Sequence, residues 1–283
     1  MTGKADSIRN EISRYFSNRT SAKAVAIPAN QRYSSEDLID LPEDAIFCSD
    51  GCGNPLLYTD IRAGQVVADL GAGAGLDVLL AARRTGANGK VIGIDMTDSM
   101  IELARGNSET AGLKNVEIRK ALIEALPIED RSIDWVISNC VINLSPEKEK
   151  VFAEIHRVLR PGGHMVISDI VVDNVPGWFR FLTAFISGTV ATMIDECSYL
   201  LVMKASGLTA IEIKDRTIFS GPRLRKMLLA DIGRFQKSEK GKGWGVLAAV
   251  ERIYLLPILF LAERILAGKI SSIKVSAQKT REV

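Results

Sequence analysis

The chain has 283 residues, 47% of them hydrophobic, enough for one large domain or a core with an appended lobe, which excludes disorder over most of its length. Thirty-six Lys and Arg against 34 Asp and Glu leave a net charge of +2, without the basic field that non-specific nucleic-acid binding requires. The 4 cysteines, Cys48, Cys52, Cys140 and Cys197, are too few and too scattered to staple a domain of this size, and the first residues lack the apolar core of a secretory signal, so a reducing cytoplasmic setting is expected.

In chain order, residues 5–17 predict a helix with Ile8, Ile12, Tyr15 and Phe16 on one side. The following stretch, to about residue 65, is rich in Ser, Asn, Asp, Gly and Pro and reads as an irregular cap with one short helix near 35–40. From residue 66 the pattern changes. Apolar runs at 66–70, 90–94, 116–119, 133–138 and 164–169 alternate with helical segments at 75–84, 98–112 and 147–159. Short apolar strands alternating with helices predict an α/β fold, a doubly wound, Rossmann-like parallel sheet covered on both faces. The expected division is an N-terminal cap (1–44), the sheet domain (45–175) and a C-terminal helical and mixed lobe (176–283).

Beyond Asp173 a helix-like piece (178–206) precedes the strand-like TAIEIKDRTIF and a tail. Within 243–268 an uncharged, mostly apolar run, 253–262, is bracketed by Glu251, Arg252, Glu263 and Arg264 and interrupted by Pro257. It is shorter than the roughly 20 residues a spanning helix needs, so a core or lid helix pair is expected, the alternatives being a membrane-surface, apolar-substrate or homodimer contact.

The stretch VVADLGAGAG carries the chemistry. Glycines at the carboxyl end of a first strand let backbone amides approach a ligand closely, and Gly71, Gly73 and Gly75 alternate, unlike the G-x-G-x-x-G of dinucleotide sites. That spacing argues for a ligand without phosphates and against a nicotinamide dehydrogenase. Asp95, ending the second strand, is placed to accept the hydrogens of a ribose diol, and Asp69 to pair with a cationic group such as an α-amino group. Together they favour S-adenosylmethionine.

VVADLGAGAG, VIGIDMTDSMIELAR, ALIEALPIEDRSIDWVISNCVINL and HRVLRPGG resemble the class I S-adenosylmethionine-dependent methyltransferases. GCGNP (51–55), GLDVLLAA (75–82) and SNCVINLSPEKEKVF (138–152) are similar to the arsenite methyltransferase group in particular. The resemblance implies that Asp69, Gly71, Ala72, Gly73, Gly75 and Asp77 surround the methionine part of the cofactor and that Asp95 takes the ribose. It further implies Met96 and Met100 flanking the adenine, Leu122, Ile123 and Glu124 along its edge, and Asn139, Cys140 and Val141 beneath the methyl donor. Leu122 stands where similar enzymes place an acidic residue against the adenine amino group, so adenine binding is expected to lean on main-chain contacts and apolar packing.

A small-molecule acceptor is expected. The arsenite family holds trivalent arsenic with three thiolates, a fitting choice for a soft metalloid. Here the resemblance supplies one of them, Cys140, with Phe185 at the position of a further one. Cys48 and Cys52 are expected to decorate a loop, and Cys140 and Cys197 to be small buried hydrophobes; a rearranged three-thiol site is the alternative. Missing thiols and an apolar tail motivate a competing acceptor, an apolar organic molecule such as a quinone, lipid or polyketide, and a third reading is a cofactor-binding protein without turnover. His156 and His164 are expected to be structural, no catalytic base is assigned, and no metal site is expected.

Overall fold

Alternate residues of a strand point to opposite faces of its sheet, and the first strand shows it. In β1 (Val66–Leu70), Val67 enters one apolar core while Ala68 and Leu70 enter the other. A computed structural model describes residues 2–17, 28–175, 193–220 and 264–281. β2 (Lys90–Asp95), β3 (Val116–Lys120), β4 (Ile133–Asn139) and β5 (Leu159–Val172) run parallel to β1, and β6 (Leu208–Ile218) and β7 (Ile270–Lys279) complete a seven-stranded sheet in the order β3-β2-β1-β4-β5-β7-β6. β7 is antiparallel to both neighbours.

The helices cover both faces. An N-terminal helix α1 (Thr2–Ser17), two short helices α2 (Ser35–Leu38) and α3 (Glu43–Phe47), α4 (Leu76–Thr85) and α5 (Asp98–Thr110) precede α6 (Lys148–Val158) and α7 (Glu196–Ala205). α4 buries Leu76, Val78, Leu79 and Ala82 against one face; Val151, Phe152 and Ile155 of α6 and Tyr199 and Met203 of α7 bury against the other. The chain leaves β1 toward β2 and β3, then returns to β4 on the opposite side of β1. That reversal opens a crevice at the carboxyl ends of β1 and β4, where ligands of such sheets bind.

The five strands and three helices expected from periodicity between 66 and 169 are present, with β5 beginning earlier, at Leu159. Strand-like TAIEIKDRTIF is β6. The last strand was not expected. Residues 208–218 and 270–279, assigned above to a separate C-terminal lobe, are strands of this same sheet. Lys274 and Lys279 make β7 look like surface, yet Ile273, Val275 and Ala277 are buried in it, and Lys279 Nζ reaches inward to the carbonyls of His156 and Leu159, 2.8 Å each. Ile270 pairs with Val172 and Ser271 with Ile218, so the connection from β6 to β7 leaves and returns at the crevice end of the sheet. There Val172, Phe219, Leu266 and Ile270 form a small apolar cluster. Phe185, the run 253–262 and most of the expected helix 178–206 lie outside the described residues; the helix described there is α7, capped by Asp195 accepting from Ser198 N at 2.9 Å. No helix among the described residues is long and apolar enough to cross a membrane.

Candidate functional site

The turn after β1 is tied down by its own backbone: Gly71 N and Ala72 N both donate to Ile94 O, at 2.8 and 2.9 Å. Gly71 sits at φ 77°, and a Cβ there would collide with Val141, so only glycine fits. Gly73, at φ 52°, has nothing within reach but the Gly71 carbonyl at 4.0 Å and faces an open cavity. Asp95 secures this arrangement, its Oδ2 accepting from Gly73 N and its Oδ1 from Thr97 N, both at 2.9 Å.

Asp69, Asp77 and Asp95 line the same cavity. Burial pushes the Asp69 carboxyl well above its ordinary range, and the charges of Asp77 and Asp95 push it further. Burial also raises Asp77, against hydrogen bonds from Asn139 and Tyr33 that lower it, and raises Asp95 against backbone bonds from Thr97 and Gly73. For Asp69, flanked by two further carboxyls, a cation entering the cavity would favour the ionised form.

The cavity also takes in Ala72, Met96, Met100, Ile123, Glu124 and Val141, together with Gly71, Gly73, Asn139 and Cys140. Two expected residues do not line it. Gly75, at φ 91°, caps α4 and packs against Ala104, and Leu122 lies just outside the lining, between Ala121 and Ile123. α1 contributes a wall that the sequence reading did not assign: Arg9, Ile12 and Phe16 line the cavity, and Arg9 pairs with Glu124 at 3.2 Å and with Glu147. Ser145 Oγ donates to the same Glu124 carboxylate at 2.7 Å. The apolar side of the N-terminal helix was visible in its spacing; its docking partner was not.

The cysteines overturn the expectation set for them. Cys52 is buried rather than a loop decoration, and it is bonded to Cys140, with 5.7 Å between their Cα atoms. Cys197 is exposed, not a buried hydrophobe, and stands on α7. Cys48 borders the same cavity as Cys140. Cys140 adopts a left-handed backbone conformation, φ 63°, uncommon for a residue with a Cβ, and is held there by its N–H donating to Ser168 O at 2.7 Å. Asp169 anchors the loop that follows: its Oδ2 accepts from Asn143 N at 2.8 Å and Tyr199 Oη at 3.0 Å, and burial lifts its carboxyl to about 6. Among the described residues no group of three or more His, Cys, Asp and Glu side chains is gathered to hold a metal ion. His164 stacks on Trp135 with ring centroids 4.7 Å apart, His156 lies against Gly207, and neither borders the cavity.

Residues 61–218 match the family described as methyltransferase domain. An arsenite methyltransferase of Halobacterium salinarum is 42% identical over 186 residues, 64% of this chain and 46% of that protein. The arsenite methyltransferase of Mus musculus is 35% identical over 59% of this chain and 48% of its own length. The chain thus spans less than half the length of these curated relatives. Methyltransferase GfsG of Streptomyces halstedii is 31% identical over 66% of this chain and 70% of that protein. Among solved structures, an arsenic(III) S-adenosylmethionine methyltransferase from Chlamydomonas reinhardtii superposes with a TM-score of 0.65 at 28% identity, covering 87% of this chain and 73% of that one.

Proposed function

The chain belongs to the methyltransferase-domain family, and on that premise we propose that it moves a methyl group from S-adenosylmethionine to trivalent arsenic held by the thiols of Cys52 and Cys140. The observation that carries this reading is the bond between Cys52 and Cys140, the latter lining the same cavity as Asp69 and Asp95.

The residues present fit the cofactor. Asp69, Asp77 and Asp95 are matched to a ligand with positive charge, and the open space over Gly73 admits one close to the backbone. When bound, S-adenosylmethionine supplies an activated methyl group on a positively charged sulfur. Asp69 would hold its amino group and Asp95 its ribose hydroxyls, while Met96, Met100 and Ile123 offer apolar surface to the adenine, as the lack of an acid at Leu122 requires. α1, whose Arg9 pairs with Glu124, lines that side of the cavity, where it would limit the entry of water.

Cys52 and Cys140, once reduced, offer two soft ligands at one point, and Cys48 borders the same cavity. Arsenic bound by thiolates keeps a lone pair, so the acceptor is already a nucleophile and needs no general base. The positions of His156 and His164 away from the cavity agree with this. The protein's contribution is then placement: it aligns donor and acceptor for in-line displacement. A pair that must be reduced to work suits a reducing compartment such as the cytoplasm. A second reading, an organic acceptor, is favoured by the apolar walls that Ile12, Phe16, Leu144 and Pro146 contribute to the cavity.

Methyl transfer from labelled S-adenosylmethionine to arsenite in excess thiol tests the first reading. Methylated arsenic from the wild type, lost in Cys52→Ser and Cys140→Ser while S-adenosylhomocysteine still binds, is the expected result. Cofactor binding without any arsenic product would move the acceptor to the organic class.

A further inference from the structure

Asn139 closes β4 one residue before Cys140, and its side-chain amide is fully engaged by protein groups. Its Oδ1 accepts the backbone N–H of Cys52 at 3.0 Å and that of Gly53 at 3.3 Å. Its Nδ2 donates to Gly53 O at 2.9 Å, Asp77 Oδ2 at 3.0 Å and Tyr33 Oη at 3.0 Å. A primary amide has two N–H donors and two acceptor lone pairs; two N–H groups shared among three acceptors, and two backbone amides on the oxygen, engage them all. Nothing is left over for a direct bond to a bound molecule.

The anchor beneath the amide is rigid. Tyr33 and Asp77 are both buried, and the Tyr33 hydroxyl donates to Asp77 Oδ1 at 2.8 Å. Burial and the Asp77 charge push that hydroxyl well above its ordinary range, so it keeps its proton and remains a donor. Above the amide, the glycines flanking Cys52 allow the loop to lie directly on its supports. A Cβ on Gly51 would collide with the Asn139 amide and Arg32, and one on Gly53 with Ser168 Oγ. Ser272 Oγ, from β7, holds the Cys52 carbonyl at 3.1 Å.

We propose that Asn139 is a positioning residue: by gripping both amides of the Cys52–Gly53 loop it fixes the Cys52 sulfur within reach of Cys140, making the pair a preformed bidentate site for a trivalent, thiophilic acceptor. This rests on the reading of the two thiols as the acceptor site. Asn139 borders the cavity, but its amide is committed to protein groups and acts on the acceptor site through the loop backbone. The same side chain thereby couples the thiol pair to Asp77 on the cofactor wall.

The test uses the full chain, reduced, as wild type, Asn139→Ala and Ser272→Ala. The probe is phenylarsine oxide, whose arsenic bonds to both sulfurs while its oxygen leaves as water with the two thiol protons. The second readout is the thiol–disulfide equilibrium of the pair in glutathione buffers, and the third is alkylation of each reduced thiol by iodoacetamide. Asn139→Ala is expected to weaken the probe by about tenfold or more, as loss of an outer support does at other thiolate and imidazole sites. It is also expected to make the disulfide easier to reduce, by about 30 mV for each tenfold fall in the effective concentration of one thiol at the other. Alkylation of the individual thiols should not slow. Ser272→Ala should move both equilibria in the same direction by less.

Wild-type probe affinity and potential in Asn139→Ala would overturn the proposal. Should Asn139→Ala not fold, Ser272→Ala decides: an unchanged potential there overturns it. A wild type that does not bind the arsenical, with a potential that still shifts in Asn139→Ala, would sink the acceptor reading and leave the clamp standing.

Discussion

The glycine turn and Asp95 are held by residues near one another in the chain, and the cysteine pair by residues far apart. Asp95 secures Gly73 across 22 positions, within a single strand-turn-helix-strand unit. Cys52 is bonded to Cys140 across 88 positions, gripped by Asn139 across 87 and braced by Ser272 across 220. The turn and Asp95 are in place once β1, α4 and β2 have formed, and Asp77 is tied beyond that unit, to Tyr33 and Asn139. The cysteine pair needs the N-terminal loop, the centre of the sheet and its last strand together. If the turn and Asp95 hold the cofactor and the cysteine pair the acceptor, as proposed, substitutions at the two should fail separately, Asn139 and Asp77 being where they meet.

The sharpest break is expected at the thiols. Cys140→Ser should leave no detectable arsenic product in the labelled-methyl assay while S-adenosylhomocysteine affinity by calorimetry stays within experimental error. A parallel loss of cofactor binding would mean that the cofactor and acceptor sides are not separable. Gly73→Val attacks the other side: a branched side chain at φ 52° is strained and fills the open space, so cofactor binding should fall below detection in a protein that still folds by circular dichroism. Normal binding would remove the loop from the site.

Asp95→Ala should weaken S-adenosylhomocysteine by about 1 to 3 kcal/mol, the range for losing charge-assisted hydrogen bonds, and should leave phenylarsine oxide binding alone. The effect of pH is graded. Carboxyls raised by burial hold their protons at pH values where ordinary aspartates have lost them, and a cation pulls those pKa values back down. Cofactor affinity should therefore decline as pH falls, beginning above the ordinary carboxylate range, with protons released on binding in that window. Calorimetry in buffers of different ionisation enthalpy reads the release directly; no buffer dependence would mean that Asp69 and Asp95 are already ionised in the empty cavity. The smallest change is expected from Arg9→Ala, which unpins α1 near the surface. About 0.5 to 1 kcal/mol of cofactor affinity should go, seen as faster dissociation in stopped-flow.

Legibility in the sequence follows the same division. That Gly71, Gly73, Asp69 and Asp95 gather at one cavity could be read because they lie at or just beyond strand ends whose position periodicity reveals, and the family's spacing repeats them. Cys52 could be read only as one option for a rearranged three-thiol site, not as the partner of Cys140, although it lies in the GCGNP stretch that carries the resemblance. Nothing local to residues 48–53 says which part of the sheet the loop touches. β7 was missed for a related reason. Its buried lysines satisfy carbonyls and Asp215 from other elements, and without those partners ISSIKVSAQK resembles a solvated segment.

The residues from 66 to 169 by themselves determined a doubly wound sheet with a glycine turn and two strand-end aspartates, because strand period, helix period and turn chemistry are encoded over a few consecutive positions. Only the tertiary structure decided that β7 enters between β5 and β6, that α1 lines the cavity with Arg9 paired to Glu124, and that Asn139 brings Cys52 to Cys140. Those are pairings of groups distant in the chain. Their free energy depends on burial and partner geometry that exist only once the sheet is assembled.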